Sequence, residues 1–344
     1  MARSNRPTLR DVARAAGLSV TQVSRALNDH ADVAPTTRER ALRAARELGY
    51  TPNIAARRLK VPETHAHSIG LVLQPTTARL SDPFLGELLA WMVDEAGGHG
   101  FELLLSTPPG DEHPLAAYER SIQQKRVDGF VVLRTAADDE RIAYLLEQSF
   151  PFVTFGRLPD QAGFPVVDEI DDSLQPAVDL LVELGHRHIA CITEPTEHSK
   201  AIYRLRSFHR AMREHDLDVR VDDVVEAGFH VDSGYAAGCR LLDRDDPPTA
   251  VVALNDLLAM GVLRASDERG VRIPGDLSVV GFDDIDAAHL VTPALTTMHQ
   301  PIEQAGRLLV RQVLTAIERG DGYDEQRLIT PRLVVRASTG PPAP

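Results

Sequence analysis

The side chains with the clearest chemical use lie in residues 8–28, which read TLRDVARAAGLSVTQVSRALN. Four of them recur at three- and four-residue steps, so in a helix they would share one outward face. They are Val20, Thr21, Ser24 and Arg25. Short hydroxyl and methyl groups beside one arginine suit contacts with base edges and phosphates in the DNA major groove. The solvated face of an ordinary helical hairpin is the alternative, which the short motif alone leaves open.

A second group of side chains could hold a small polyhydroxylated molecule. Each member follows a short apolar run, where the carboxyl end of a parallel strand would bring it to a cleft. The members are Asp82, Phe84, Asp168, Asp171, Arg204, Phe229, Asn255 and Asp283. Carboxylates, an amide and an arginine can pair with vicinal hydroxyls, and phenylalanine rings offer flat faces to a sugar ring. Helix capping is the alternative, which we prefer for Asp256 and leave open for Asp82.

Two helices on either side of Gly17 would position the first group. Thr8 can cap the first helix, Gly17 can take the φ > 0 backbone that ends it, and Ser19 can cap the second. The apolar stripes are Leu9, Val12, Ala13 and Ala16 in the first helix and Val23, Ala26 and Leu27 in the second. Such a pair with a glycine-containing turn is a helix-turn-helix, whose second helix fits the major groove.

A third helix is predicted over residues 36–48, with Pro35 suited to its first position and Gly49 to its end. The apolar stripe that would cover the first two helices is Ala41, Leu42, Ala45 and Leu48.

Residues 50–60, YTPNIAARRLK, could form a further short helix, at about 52–60, that is too brief to be stable alone. Arg57, Arg58 and Leu59 offer the cations and the apolar wedge that minor-groove binders use to open a base step. A charged linker is the alternative, and residues 62–67 are linker in either case.

The charge of the chain is divided between a basic head and an acidic body. Residues 1–60 hold 12 lysines and arginines against 5 acidic residues, a net charge of +7, whereas the remaining residues carry −20. A basic segment on an acidic body is typical of nucleic-acid binding at one end.

The bulk composition indicates a soluble protein of two or three domains. The chain has 344 residues, of which 43% are hydrophobic and 25% charged. Its basic N-terminus lacks the apolar core of a signal peptide, and no apolar run reaches membrane-spanning length, so we expect a cytoplasmic protein. Without an export signal, Cys191 and Cys239 are expected to be two thiols and not a disulfide.

From residue 68 onward, short apolar runs alternate with helical patterns, which predicts two doubly wound parallel sheets in tandem. The predicted strands are 68–73, 101–105, 129–133, 152–155, 188–193, 224–227, 250–253 and 277–281, with a closing segment at 326–336. The predicted helices are 85–96, 118–125, 140–148, 173–184, 202–215, 233–242, 256–268 and 302–319. Two such units suggest a bilobed receptor with its ligand in the cleft.

The motifs TLRDVARAAGLS, VSRALN and YTPNIAARRL closely resemble the lactose repressor-type (LacI/GalR) family of bacterial transcription regulators, and the similarity continues through nearly the whole chain. Gln22 departs from the threonine that most members have. The resemblance implies that Val20, Thr21 and Arg25 read bases, and that Leu59 wedges into a central minor-groove step when two hinge helices pair. The full set expected to contact DNA is Thr8, Ser19, Val20, Thr21, Gln22, Ser24, Arg25, Asn28, Tyr50, Asn53, Ala56, Arg57 and Leu59.

For the remainder of the chain, the resemblance implies a body like that of periplasmic sugar-binding proteins, with two lobes crossed by three segments near 155–160, 280–285 and 326–331. The expected domains are a DNA-binding head (1–61), a linker (62–67) and an effector-binding and dimerisation body (68–344). The lobes are expected at about 68–157 plus 284–328 and at 158–283 plus 329–340. Homodimers on near-palindromic double-stranded operator DNA are implied, and the short proline-rich tail, 337–344, has no heptads for a tetramer.

The same resemblance assigns the effector contacts. Arg204, Asn255 and Asp283 match positions where family members grip a small, sugar-like effector, and Phe229 matches an aromatic residue that stacks on it. Ser207 stands where the family's Arg-x-x-Gly pattern has glycine, which leaves Arg206 as a competing candidate. The full expected set is Asp82, Phe84, Asp171, Arg204, Phe229, Asn255 and Asp283.

The sequence argues against an enzyme, because it has no phosphate loop, His-Glu-x-x-His or Gly-x-Ser-x-Gly motif. Adjacent Asp283 and Asp284 would point to opposite sides of an extended segment and could not share one glycosidic bond. We interpret residues 186–188, His-Arg-His, as a loop before a strand and expect no metal or cofactor. An effector-controlled repressor is therefore favoured over a sugar-processing enzyme or a transport receptor.

Overall fold

A computed structural model describes residues 7–27, 30, 32–50, 65–73, 81–108, 112–159, 161–320 and 322–343. The chain divides into two compact units, Met1–His65 and Ala66–Pro344, which we call the head and the body. Among the described residues, no helix is long and apolar enough to span a membrane.

The described part of the head is a bundle of three helices, α1 (Leu9–Ala16), α2 (Val20–Leu27) and α3 (Pro35–Leu48). Thr8 caps α1 as predicted, with Asp11 completing a reciprocal capping box, and Gly17 ends the helix at φ 61°. Val12, Val23 and Ala41 are fully buried at the centre. The helix-turn-helix predicted from the sequence is therefore present.

The predicted apolar stripe of α3 is partly wrong. Leu42 and Leu48 are 41% and 39% exposed, whereas Ala44 is buried with Ala41 and Ala45. The inward face of α3 carries only alanines because α1 and α2 pack close to it, and small side chains allow that approach. The sequence pattern placed Leu42 and Leu48 on the buried face because leucine is the more hydrophobic residue type.

The first lobe of the body is built on a six-stranded sheet in the order β11-β5-β4-β3-β1-β2, with every neighbouring pair parallel. Its strands are β1 (Ser68–Val72), β2 (Glu102–Ser106), β3 (Gly129–Val132), β4 (Phe152–Phe155), β5 (Val166–Glu169) and β11 (Gln326–Ile329). Helices cover both faces: α4 (Pro83–Gly98) and α12 (Ile302–Arg319) on one, α5 (Pro114–Gln123) and α6 (Glu140–Glu147) on the other.

The second lobe has the same design, in the order β12-β10-β9-β8-β6-β7. Its strands are β6 (Ile189–Thr193), β7 (Val224–Glu226), β8 (Ala250–Ala253), β9 (Ser278–Asp283), β10 (Thr296–His299) and β12 (Arg332–Val334). Only the β10–β12 pair is antiparallel. The helices are α7 (Gln175–Glu183), α8 (Ser199–Glu214), α9 (Val231–Leu242), α10 (Asp256–Glu268) and the short α11 (Ala287–Leu290).

Two of the three predicted crossings between lobes are misplaced. Strand β5 pairs with β4 in the first sheet, so the chain leaves that lobe after Glu169 and not at 155–160. Strand β10 pairs with β9 in the second sheet, so the next crossing follows His299 and not 280–285. The third, after Ile329, falls where it was predicted. The missed strands read VVDE and TTMH, which contain too few consecutive apolar residues to be recognised as strands, and the lobe limits shift accordingly.

Both cysteines are free thiols, as the sequence suggested. Cys191 lies in β6 and is fully buried, and that burial raises the pKa of its thiol. The thiol is therefore an apolar core group.

Candidate functional site

The outward face of α2 presents the side chains predicted to contact DNA. Val20 is 40% exposed, and Thr21, Gln22 and Arg25 are exposed as well, whereas Ser24 is half-buried. Because Val23 and Ala26 on the opposite face are buried in the bundle, this exposed face is fixed in orientation.

Gln22 has a structural role that its departure from the family pattern did not suggest. The Ser19 amide donates to Gln22 Oε1 at 2.9 Å, and the Gln22 amide donates to Ser19 Oγ at 3.1 Å. This reciprocal capping box satisfies backbone donors at the start of α2. The glutamine carboxamide is thereby held at the end of the helix that would enter the groove.

Some of the other side chains predicted to contact DNA lie in the described part of the head, and the rest lie outside it. Arg25 is oriented by an ion pair with Asp32, and Tyr50 packs half-buried against the core of the head. Asn28, Asn53, Ala56, Arg57 and Leu59 lie outside the described residues, so the hinge helix remains a prediction.

A cleft in the body lies between the two lobes, at the carboxyl ends of their strands. Six of the seven predicted effector contacts line it: Asp82, Phe84, Arg204, Phe229, Asn255 and Asp283. The seventh, Asp171, is 59% exposed outside the cleft and pairs with Arg157 at 2.7 Å. Asp168 is buried but also binds Arg157, at 2.9 Å, and does not line the cleft.

Arg204, on α8, is the most constrained of these residues. Its Nη2 and Nε donate to the two carboxylate oxygens of Glu169 at 2.7 and 3.1 Å, and Nη1 donates to the Leu254 carbonyl at 2.7 Å. The guanidinium lies 3.8 Å from the ring centre of Phe282. The planar fork is therefore anchored on three sides and is buried at the floor of the cleft.

The competing candidate, Arg206, is exposed two residues further along α8, beside Tyr203 and outside the cleft. Ser207 stands at the family's glycine position and is buried, where its Oγ accepts a hydrogen bond from the Leu174 amide at 3.0 Å. The hydroxyl thus supports the start of α7, which explains why serine is accommodated there.

Glu169, at the end of β5, was not predicted as part of the site. It binds Arg204 and also Lys200 Nζ at 3.0 Å, so a first-lobe carboxylate holds two cations of the second lobe. Burial opposes its ionisation and is the largest single influence, but the charges and hydrogen bonds of Arg204 and Lys200 outweigh it. Together they lower the pKa of Glu169 to about 2. Sequence reasoning missed it because the strand it ends was itself missed.

Asn255 lines the cleft as predicted and also has the capping role that the sequence suggested for Asp256. Asn255 caps α10, accepting from the Leu258 amide at 2.7 Å, while its Nδ2 donates to Glu194 Oε1 at 2.8 Å in the cleft. Asp256 is not the cap. Its buried carboxylate accepts from Thr297 Oγ1 at 2.5 Å and from the Ile285 amide at 2.9 Å, which holds the loop after β9.

Asp283 is the last residue of β9 and has a φ of 115°, and Asp284 follows at 62°. Burial, only partly offset by the charge of Arg204, raises the pKa of Asp283 well above its usual value, and the Asp256 carboxylate adds to the rise. Gln300 Nε2 donates to Asp283 Oδ1 at 2.5 Å. Asp284 points elsewhere, to His299 and Arg336, so the two acids do not face one substrate.

Asp82 has both of the roles left open for it. It caps α4 by accepting from the Phe84 amide at 3.1 Å, and it pairs in the cleft with Arg134 Nη2 at 3.4 Å. Phe84 stacks on Phe155 with ring centres 6.1 Å apart. One wall of the cleft is therefore apolar and aromatic.

Seven further polar lining residues were not predicted: Arg134, Thr135, Arg141, Glu194, His198, Lys200 and Gln300. Arg134 and Glu194 closely follow strands β3 and β6, so the rule that found Asp283 could have found them. Gln300 follows β10, a strand that the sequence analysis missed.

The cleft combines carboxylates, amides and guanidinium groups with phenylalanine rings, which suits a polyhydroxylated ring with one apolar face. Among the described residues, no group of three or more His, Cys, Asp or Glu side chains could hold a metal. His186 is buried between Thr249 and the Gly340 carbonyl, and His188 binds Asp223, so these histidines have structural partners.

Comparison with known proteins matches both units. A family of bacterial regulatory proteins, the lacI family, matches residues 8–53, and a periplasmic binding protein-like domain matches residues 178–339. The HTH-type transcriptional repressor PurR of Proteus mirabilis (strain HI4320) is 35% identical over 96% of both chains. The HTH-type transcriptional regulator AglR of Rhizobium meliloti (strain 1021) is 36% identical over 97% of this chain and 94% of its own.

Solved structures agree in fold. The lac repressor dimer bound to operator and the anti-inducer ONPF superposes with a TM-score of 0.84 at 27% identity, covering 97% of this chain and 99% of the other. The complex of the transcriptional regulator CelR with cellobiose has a TM-score of 0.74 at 30% identity, covering 97% and 100%.

Proposed function

This chain belongs to the lacI family of bacterial regulatory proteins, and from that premise we propose that it is a transcriptional repressor whose operator affinity is controlled by a small carbohydrate bound between the lobes of the body. The observation that carries the proposal is the pairing, on one chain, of an exposed helix-turn-helix face with a cleft that gathers six of the seven predicted ligand contacts. We propose carbohydrate-utilisation genes as its targets.

The proposed DNA contacts come from the exposed face of α2. Arg25 can donate two parallel hydrogen bonds to a guanine edge or bind phosphate, and Val20 and Thr21 can contact thymine methyl groups. Two copies of the chain would present two heads to the halves of a near-palindromic operator. Leu59 of each copy would then enter the central minor-groove step.

A carbohydrate effector is supported by the chemistry of the cleft. Asn255, Glu194 and Asp283 supply donors and acceptors for vicinal hydroxyls, and Phe84 lies on the apolar wall. CelR, which has the same fold, holds cellobiose. The effector acts through unequal affinity for two arrangements of the lobes, so that its binding changes how readily two heads engage the operator.

The test is operator binding of the purified protein to its own upstream DNA, with and without a panel of mono- and disaccharides. Arg25→Ala should weaken operator binding by about 1–3 kcal/mol while leaving carbohydrate binding intact. Arg43→Ala, an exposed arginine on α3, is the matched control, and only a smaller, sequence-independent loss is expected from it. Full operator affinity in Arg25→Ala, or carbohydrate turnover without DNA binding, would contradict the proposal.

A further inference from the structure

Arg134 lies in the loop between β3 and α6, and its backbone is held in an unusual conformation. Its φ is 52°, in the left-handed region that non-glycine residues rarely adopt. The Arg134 carbonyl accepts from Arg141 Nη2 at 2.9 Å, and Arg141 is itself bound to the buried Asp139. Asp139 also accepts from the Ala136 amide at 3.0 Å. The loop is therefore built to hold one conformation, and strain retained in this way is a mark of functional positions.

The Arg134 side chain reaches from the first lobe to the second. Its guanidinium carbon lies 4.1 Å from the ring centre of Phe229, and Nη2 pairs with Asp82 at 3.4 Å. Nη1 is buried and has no hydrogen-bond partner among the residues that the structure describes. The guanidinium thus lies on the aromatic face that a sugar ring would use, with part of its hydrogen-bonding capacity unsatisfied.

The rest of the loop also docks on the second lobe, at the start of α8. The Ser199 amide donates to the Thr135 carbonyl at 2.8 Å, and Ala136 and His198 form an isolated antiparallel bridge. The His198 ring lies 5.3 Å from that of Phe229. Opening the cleft would break these contacts together with the Arg134–Phe229 contact.

We propose that Arg134 holds the ligand-free cleft closed by occupying the stacking face of Phe229, as a resident substitute for the effector. The role for the effector rests on the proposed function, because it takes Phe229 as the surface on which a carbohydrate stacks. An incoming carbohydrate must displace the guanidinium, so its apparent affinity is the intrinsic affinity reduced by this competition. Arg134 therefore determines which ligands can bind, since only a ligand that stacks better than a guanidinium replaces it.

The test uses the full chain without carbohydrate or DNA and measures hydrogen exchange at the Ser199 amide, which donates across the lobes. Arg134→Ala should exchange about threefold to twentyfold faster, as expected for loss of a partly desolvated cation–π contact. Phe229→Ala should have a similar effect, and the double variant should exchange no faster than the faster single variant, because both changes remove one contact. Arg126→Ala, an exposed arginine before β3, is the matched control and should exchange like the parent.

Unchanged exchange at Ser199 in Arg134→Ala, or effects that multiply in the double variant, would overturn the proposal. The backbone amides of the buried strand β8 must exchange slowly in every variant. This control distinguishes a variant that has lost the Arg134–Phe229 contact from one that has unfolded. Cellobiose is the carbohydrate probe: tighter binding to Arg134→Ala supports displacement, and weaker binding overturns it. Should cellobiose bind neither form, cellobiose is not the effector, while the exchange result still decides the role of Arg134.

Discussion

Glu169→Gln is the substitution with the most decisive expected outcome. The carboxylate is 4% exposed, and it binds Arg204 through two hydrogen bonds and Lys200 through one. Glutamine has nearly the same shape but no charge, so the change leaves two cations near the floor of the cleft without their common counter-charge. The packing of β5 is otherwise retained.

The size of the effect follows from the pKa of Glu169, which is lowered from a usual 4.5 to about 2. Each pH unit of that difference corresponds to about 1.4 kcal/mol, so the ionised carboxylate contributes roughly 3 kcal/mol to the free energy of unfolding at pH 7. Removing one partner of a buried ion pair costs a similar amount, about 3–5 kcal/mol. Because the folded-state pKa is the lower one, this contribution is present above pH 4.5 and is lost as pH falls towards 2.

The assay is urea unfolding of the full chain, followed by the fluorescence of its single tryptophan, Trp91, on α4 of the first lobe. Glu169→Gln should lose about 3 kcal/mol at pH 7, and its difference from the parent should shrink as pH is lowered below 4.5. The matched control is Asp171→Asn, because Asp171 is exposed and its pair with Arg157 should contribute less than about 1 kcal/mol. A variant as stable as the parent, or a difference that stays constant down to pH 3, would refute the electrostatic reasoning.

Two further predictions concern the cleft. Arg204→Ala should keep operator binding but lose the response to carbohydrate in a gel-shift titration. Arg206→Ala, exposed on the same helix, should respond like the parent. The reverse pattern would assign the effector contact to Arg206. Burial raises the pKa of Asp256 from a usual 3.8 to about 7, so its contribution to stability is full below pH 3.8 and is lost as pH rises through 7. Thermal melts should therefore show stability falling between about pH 4 and 7, less steeply in Asp256→Asn. An equal slope in both proteins would exclude Asp256 as the source.

The head was the part most accessible from the sequence, because its structure depends on local signals. Thr8, Gly17 and Ser19 mark helix ends through hydrogen bonds to residues no more than a few positions away, and such spacing is visible in the chain. The error at Leu42 arose where a contact between helices, and not the periodicity of one helix, decided which face was buried.

The cleft was only partly accessible. The rule that functional side chains follow parallel strands located Asp82, Arg204 and Asp283 without any structure. It failed for Asp171, which lies past the end of β5 but points to solvent, because the rule gives the edge of a sheet and not the direction of a side chain.

Sequence by itself determined the class of the protein, the helix-turn-helix and its cap residues, the alternation that makes two parallel sheets, and six of the positions in the cleft. Tertiary structure alone decided that Glu169 joins Arg204 and that Arg134 covers Phe229. The physical reason is the separation along the chain over which each kind of interaction acts. Caps and periodicity act within one or two helical turns, whereas these pairs link residues 35 and 95 positions apart, which come together only when the two lobes pack against each other.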